Sequence, residues 1–314
     1  MTARFFHERD DFMTPISEKI LEKYQIRKTK RQKNAFIEFL RAHYPDLKIE
    51  TDGLSYSRNI VIGNPDTAKA VFGAHYDTQA VMPIPNFIMP KSIPVSVLYA
   101  FVLIIPMIII ASVVGGVAGY IFDDSNATAL FSLLTYWALL FLMIFGPANK
   151  HTVNDNTSGV ITLVELMDSM TEEERAQSCF VFFDNEEKGL FGSSTFSKEH
   201  KETMKEKLLI NFDCVSDGDY LMLIPDKKHF SEHEEKLKAA FGEVTEKTVL
   251  IESSKGVYYP SDQKNFKNNI GVAAFKKSKL GLYMDRIHTP KDTVMDERNI
   301  EVLKTGMIKF LNML

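Results

Sequence analysis

An excess of positive charge is the first thing missing from this sequence: 37 Lys and Arg stand against 41 Asp and Glu, for a formal net charge of -4. Nucleic-acid binding usually needs a basic footprint, so nucleic acid is not expected as a partner. Thiols are scarce too, with only Cys179 and Cys214. Each lies inside an apolar strand-like run, "SCFVFF" and "LINFDCV", and reads as a buried small hydrophobe rather than a disulfide partner or a thiol nucleophile. The opening stretch "MTARFFHERDDFMTP" has no basic segment followed by an apolar core. A cleaved secretion signal is therefore not expected, and the chain is expected to start in the cytoplasm.

Charge is absent altogether from two long runs. "PVSVLYAFVLIIPMIIIASVVGGVAGYIF" spans 94–122 and "TALFSLLTYWALLFLMIFGP" spans 128–147, with only "DDSNA" between them. A helix needs about 20 apolar residues to cross a hydrocarbon layer of about 30 Å, and each run has them. Buried helices of soluble domains seldom run this long without a charge, so a transmembrane hairpin over 92–147 is the better reading. Pro106 and the cluster Gly115, Gly116 and Gly119 suit a bilayer where a neighbouring helix packs closely. Lys91 and Lys150 flank the outer ends while Asp123 and Asp124 sit in the turn. Basic flanks stay inside, which puts the polar remainder of an integral protein of the cell membrane on the cytoplasmic side.

With the hairpin set aside, 1–90 and 148–314 together have the size of one α/β domain into which the hairpin is inserted. Strand-like runs recur at "RNIVIG", "KAVFGAHYD", "SCFVFFD", "LLINFD", "YLMLIP" and "VAAFKKS". Helix-period segments lie at about 14–43, 157–170, 194–207, 231–241 and 297–313. This alternation predicts a three-layer α/β/α sandwich with a mixed, mainly parallel central sheet. Functional residues of such sheets collect at the carboxyl ends of strands. There stand His75 and Asp77 in "GAHYDT", Asp184, Glu186 and Glu187 after "FVFF", and Asp213 after "LINF"; Asp155 in "NDNTSGV" opens a helix and His288 lies in "DRIHTPKDT". Taken singly, each has a plain structural reading: Asp155 as a helix cap, His75 as a bonded core histidine, Asp213 as an Asx turn, the glutamates as a solvated loop. Imidazoles and carboxylates converging from five segments are instead what a borderline divalent metal such as zinc requires.

Their order carries a specific resemblance. His-X-Asp, then Asp-Asn-X-Ser-Gly, then Asp-X-Glu-Glu-X-Gly-Leu-X-Gly-Ser, then Asp213, then His-Thr-X-X-Asp-Thr resembles the M28 family of dizinc aminopeptidases, and "SDQKNF" at 261–266 looks like that family's Ser-Asp-His-X-X-Phe segment. The resemblance runs from His75 to Thr293, broken only by the hairpin. It implies two zinc ions, other divalent metals being compatible, bridged by Asp155, with Glu187 and His288 completing one site and His75 and Asp213 the other. Asp77 would orient the His75 ring by accepting its second N–H. Glu186 would be the general base that takes a proton from the attacking water and returns it to the leaving amine. Glu186 and Asp213 would hold the free α-amine of a peptide substrate, so that N-terminal residues are removed.

Two positions depart from the family pattern. Ile287 stands where several members have a tyrosine before the last ligand, leaving Tyr258, Tyr259, Tyr283, Arg286 or the metals to stabilise the oxyanion, and Gln263 replaces a histidine. Because the hairpin falls between His75 and Asp155, both of its helices are expected to leave one rim of the site. That suggests membrane-associated peptides or protein tails as substrates, although a simple anchoring or oligomerising role fits equally. A glutaminyl-cyclase-like enzyme with one zinc and a non-catalytic membrane scaffold are the competing readings; side-chain preference and oligomeric state are left open.

Overall fold

The computed structural model of the protein describes residues 13–53 and 55–314, so the expectation placed on the first residues lies outside them. Nine strands form among the described residues: β1 (Lys48–Thr51), β2 (Arg58–Gly63), β3 (Ala70–His75), β4 (Ser178–Phe183), β5 (Leu208–Phe212), β6 (Tyr220–Pro225), β7 (Thr248–Ile251), β8 (Asn269–Ser278) and β9 (Gly281–Tyr283). All six apolar runs became strands; β1, β7 and β9, short and half-exposed, carried no apolar alternation to announce them. They join one sheet of order β1-β2-β4-β3-β5-β8-β6-β7, with β9 on β8. The central strands β4, β3, β5 and β8 are mutually parallel, and β1, β2, β6 and β9 bring in antiparallel pairs.

Successive side chains on these strands point to opposite faces. Phe72, Phe180, Phe182, Ile210 and Phe212 enter a large core on one face, whereas Val71, Val181, Phe183 and Leu209 enter a smaller one on the other. Burial on both faces is why the central strands read as unbroken apolar runs. The large core is covered by α1 (Pro15–Lys23), α2 (Lys30–His43), α5 (Gly159–Ser169), α8 (Phe230–Phe241) and α9 (Glu297–Leu311), and α7 (Phe191–Glu199) packs Phe196 on the opposite face. The short α6 (Glu172–Ala176) connects α5 to β4.

The single helix expected over 14–43 is two. Thr29 and Gln32 form a reciprocal capping box that starts α2 afresh, and between the helices the Arg27 side chain turns inward to the carbonyl oxygens of Tyr24 and Tyr76.

The two uncharged runs form α3 (Ile93–Phe122) and α4 (Ser125–Phe145), both long and apolar enough to cross a membrane. The connection is shorter than expected: Asp123 takes a left-handed conformation, and the Asp124 carboxylate caps α4 by accepting the N–H of Asn126 at 2.8 Å, so Ser125 to Ala127 are already helical. At the other end the chain is clamped where it leaves and returns. Val81 N–H donates to the Pro147 carbonyl at 2.8 Å and Asn149 N–H to that of Gln79 at 3.1 Å, around an antiparallel bridge between Ala80 and Ala148.

Candidate metal centre

In the parallel register His75 at the end of β3 pairs with Phe183 at the end of β4, so the chain beyond each enters one space. After β4 it turns sharply. Asn185 and Leu190 have φ of 54° and 60° and Gly189 has φ of 118°, which bracket a single turn of 3-10 helix carrying Glu186 and Glu187. Gly192 is required as well, since a Cβ there would fall 2.2 Å from the Asp184 carbonyl oxygen. Asp77 holds this turn: its carboxylate accepts the N–H of Glu186 at 3.0 Å and of Glu187 at 3.3 Å.

The same carboxylate stands beside the His75 ring. It lies 3.7 Å from His75 Nδ1, which faces the main-chain oxygen of Asp77 at 3.1 Å. Either way Nδ1 is engaged, and Nε2 is directed into the pocket.

Asp155 sits in the middle of "NDN", on a turn where its own and the following residue's dihedrals are not helical. Both flanking asparagines are staples. Asn154 Oδ1 accepts the N–H groups of Ser216 and Asp217 at 2.8 and 3.0 Å. Asn156 Oδ1 accepts those of Gly159 and Cys214 at 3.0 and 3.2 Å, while its Nδ2 donates to the Phe212 carbonyl at 2.9 Å. Asn156, not Asp155, therefore serves the start of α5, and the pair ties the Asp155 turn to the loop that carries Asp213.

The donors converge in two groups that share Asp155. Its Oδ1 lies 3.3 Å from His75 Nε2, which is 3.5 Å from Asp213 Oδ1. Its Oδ2 lies 2.8 Å from His288 Nε2, which is 3.4 Å from Glu187 Oε2. His75, Asp155 and Asp213 are buried, and Glu186 and Glu187 partly so. Such a concentration of carboxylates is costly without cations. Burial, then Asp155, pushes Glu187 well above the usual carboxylate range; burial pushes Glu186 the same way against the pull of His75. Burial lifts Asp262, from the "SDQKNF" segment, to about 7. For Asp155 burial is outweighed by the two imidazoles, and its carboxyl is held low; the carboxylates in turn raise His75 and His288 against burial.

These donors fit divalent ions. Atoms of His75, Asp155 and Glu187 lie within 4.8 Å of one another, as do atoms of Asp155, Asp213 and Cys214, and the buried Oε1 of Glu187 has no hydrogen-bond partner. Imidazole and carboxylate suit zinc. Cys214 donates its thiol to Asp213 at 3.1 Å and burial pushes its ionisation up, in keeping with its reading as a buried, unreactive group.

Around the donors is a cavity of about 210 Å³ whose walls include Asn86, Ile88, Tyr259 and Ile287. Of the four residues weighed in place of the missing tyrosine, Tyr259 alone lines it, and its hydroxyl is already given to the Asp213 carbonyl at 3.0 Å. Arg286 turns to Asp217 at 3.3 Å, and the Tyr283 ring stacks on Phe87. Gln263 is buried scaffold, bonded to the Tyr259 carbonyl at 2.8 Å and to Asn211 at 3.0 Å.

Two contributors were not foreseen. The Asp292 carboxylate accepts the N–H groups of Asn154 and Asp155 at 2.7 and 3.0 Å, and burial, then Asp155, lifts it to about 8. Its place in His-Thr-X-X-Asp-Thr was a usable signal. Arg27 had none: it lies fully buried under the site, bonded to Thr157 Oγ1 at 3.1 Å.

The description "Peptidase family M28" matches residues 140–310. No curated protein sequence matches the chain. Among solved structures, an Acidobacteriales bacterium glutaminyl cyclase superposes with a TM-score of 0.58 at 14% identity, covering 100% of this chain and 98% of that one. A Zn-dependent exopeptidase from Parabacteroides distasonis gives 0.53 at 13%, covering 94% of both chains. The Legionella pneumophila LapA aminopeptidase gives 0.52 at 14%, covering 94% of this chain and 69% of that one. At these identities the likeness is one of fold.

Proposed function

The chain belongs to peptidase family M28, and on that premise we propose that it is a zinc-dependent aminopeptidase held at a membrane by α3 and α4. One observation carries the reading: the two oxygens of Asp155 face different donors, Oδ1 towards His75 and Oδ2 towards His288. A carboxylate can span two cations about 3.5–4 Å apart. Asp155 would therefore bridge two zinc ions, with His75 and Asp213 completing one site and Glu187 and His288 the other. When bound, the ions would supply Lewis acidity, polarising the scissile carbonyl and making water acidic enough to attack at neutral pH.

The protein's own groups would do the rest. Glu186 is next to a ligand, and burial raises its affinity for a proton, so its carboxylate can take the proton of the attacking water and hand it to the leaving amine. Glu186 and Asp213 would also hold the substrate's α-ammonium group. A cavity of about 210 Å³ with Ile88, Tyr259 and Ile287 in its wall has room for about one terminal side chain. That supports an exopeptidase.

The hairpin supports the anchor. Only 11% and 0% of the most apolar stretches of α3 and α4 are buried, unlike core helices. Lys91 and Lys150 at the outer ends, against Asp123 and Asp124 in the turn, support a catalytic part on the cytoplasmic side. Asn86 and Ile88, which precede α3, lie in the wall of the site, so a membrane-associated peptide could enter alongside the hairpin. Joining Ser92 to Gly146 by a Gly/Ser linker should then spare soluble peptides and slow membrane-tethered ones; no difference between the two would remove lateral entry.

The cyclase superposition gives a second reading, an enzyme with one zinc that cyclises N-terminal glutamine. Metal counting on detergent-purified full chain, with free and blocked peptides compared, separates them. Two zinc ions per chain and turnover of free N-termini only are expected; one ion and cyclisation would replace the peptidase. Glu186→Gln should lower kcat by about 10²–10⁴-fold with metal content unchanged.

A further inference from the structure

A second cavity is lined in part by Asp184, Asn185 and Lys188, which flank the Glu186–Glu187 pair. It measures about 600 Å³, against about 210 Å³ for the metal centre, and has opposite charge. Lys28, Lys30, Lys33, Arg58 and Lys188 line it. Two acids share the lining, of which Asp184 is paired with Lys33, and Asp52 accepts the N–H of Ser55 at 2.9 Å and the hydroxyl of Thr195 at 3.3 Å. In a chain of net charge -4, five cations and two acids around one cavity are a local reversal of sign. No step proposed for the peptidase uses it.

Its position says what kind of anion it faces. Lys28 Nζ donates to the Ile144 carbonyl at 2.6 Å, in the last turn of α4, so the cavity opens where that helix leaves the apolar layer. The same end of α4 exposes Phe141, Leu142 and Phe145, each more than half accessible, and Tyr56 in the cavity lining is 83% exposed. A basic cavity beside a bare apolar helix turn offers one surface to a phosphate and the next to acyl chains. A soluble phosphate would use only the first.

We propose that this cavity binds the phosphate headgroup of an anionic glycerophospholipid, with the acyl chains lying along the last turns of α4. The site rests on the membrane-hairpin reading above. It fixes the rotation of the catalytic part against the leaflet, because Lys30 starts α2 and Lys188 closes the glutamate turn. Electrostatic attraction to an anionic leaflet grows with each basic residue near it, so headgroup binding should fall as these lysines are removed.

The test uses the full chain in phosphatidylcholine vesicles containing a minor fraction of phosphatidylglycerol, extracted gently and assayed for lipid retained per protein. Wild type should enrich phosphatidylglycerol at least about fivefold over the bulk, and Lys30→Gln with Lys188→Gln should bring this near the bulk ratio. Both lysines are exposed, and matching melting curves would show that the variant is folded. Lys201→Gln with Lys205→Gln, removing the same charge elsewhere, should leave the enrichment intact. Equal enrichment in all three proteins overturns the site, as does displacement of the lipid by inorganic phosphate or an acidic peptide. An alkaline carbonate wash separates the two premises: release of protein from the vesicles refutes the hairpin, whereas retention without enrichment refutes only the headgroup site.

Discussion

One carboxylate organises the centre. Asp155 reaches both imidazoles through different oxygens, and it can do so because its backbone is held from behind by Asp292 and its neighbours Asn154 and Asn156 are bonded into the β5 exit loop. Asp292 touches no reacting group in this scheme and acts through Asp155. Outer partners of this kind typically alter metal affinity by about 10–100-fold. Asp292→Asn, which turns one of two acceptors into a donor facing an N–H, should weaken zinc binding by about that factor in a chelator competition while kcat at saturating zinc stays within a few-fold. Lower stability with unchanged zinc affinity would leave Asp292 a merely structural role.

Helix on helix, the hairpin depends on two glycines rather than the three noticed in sequence. A Cβ on Gly115 would lie 1.9 Å from Ser132 Oγ and one on Gly119 1.9 Å from Thr128 Oγ1, whereas nothing lies within 4 Å of Gly116. Their spacing of four places both on the α4-facing side of α3. Gly115→Leu with Gly119→Leu should therefore force the helices apart and destabilise the hairpin by about 1–3 kcal/mol, while Gly116→Leu should be near neutral. The contrast is readable as heat-induced loss of helicity in detergent. Equal effects at all three positions would mean that α3 and α4 do not pack through this face. The same local chemistry explains the misread boundaries: capping at Asp124 and Thr29 decided where α4 and α2 begin, and hydropathy alone does not register a cap.

Across the molecule, acids that the sequence distributes over several segments gather in and around one pocket, and this couples metal, pH and stability. With the ions chelated away, Asp262 near 7, Asp292 near 8, and Glu186 and Glu187 well above their ordinary values all bind protons more tightly folded than unfolded, chiefly through burial. The contribution of Asp262 and Asp292 is fully present below the unfolded carboxyl values of about 4 and disappears as pH rises through about 7–8, and that of the two glutamates is likewise lost as pH rises above their ordinary range. Asp155 and Asp77, held low, contribute the opposite way, present above about pH 4 and lost below it. The melting temperature in EDTA should fall from about pH 5 to about pH 8, and saturating zinc should abolish the fall. Parallel curves with and without zinc would show that the carboxylates are not neutralised by metal.

What the sequence by itself determined is what repeats locally. Short apolar runs specified six strands, two uncharged runs specified the hairpin helices, and strand ends pointed to His75, Asp77, Glu186, Glu187 and Asp213, because such patterns act within a few residues. Only the tertiary structure decided the burial of Arg27, the holding of Asp155 by Asp292 and the basic cavity against the end of α4. Each depends on side chains far apart in the chain meeting within hydrogen-bonding distance, such as Lys28 with Ile144, and no local pattern encodes such a meeting. The hairpin shows both sides of this: its helices are written in composition, while its attachment through an isolated bridge between Ala80 and Ala148, outside the sheet, is a tertiary contact.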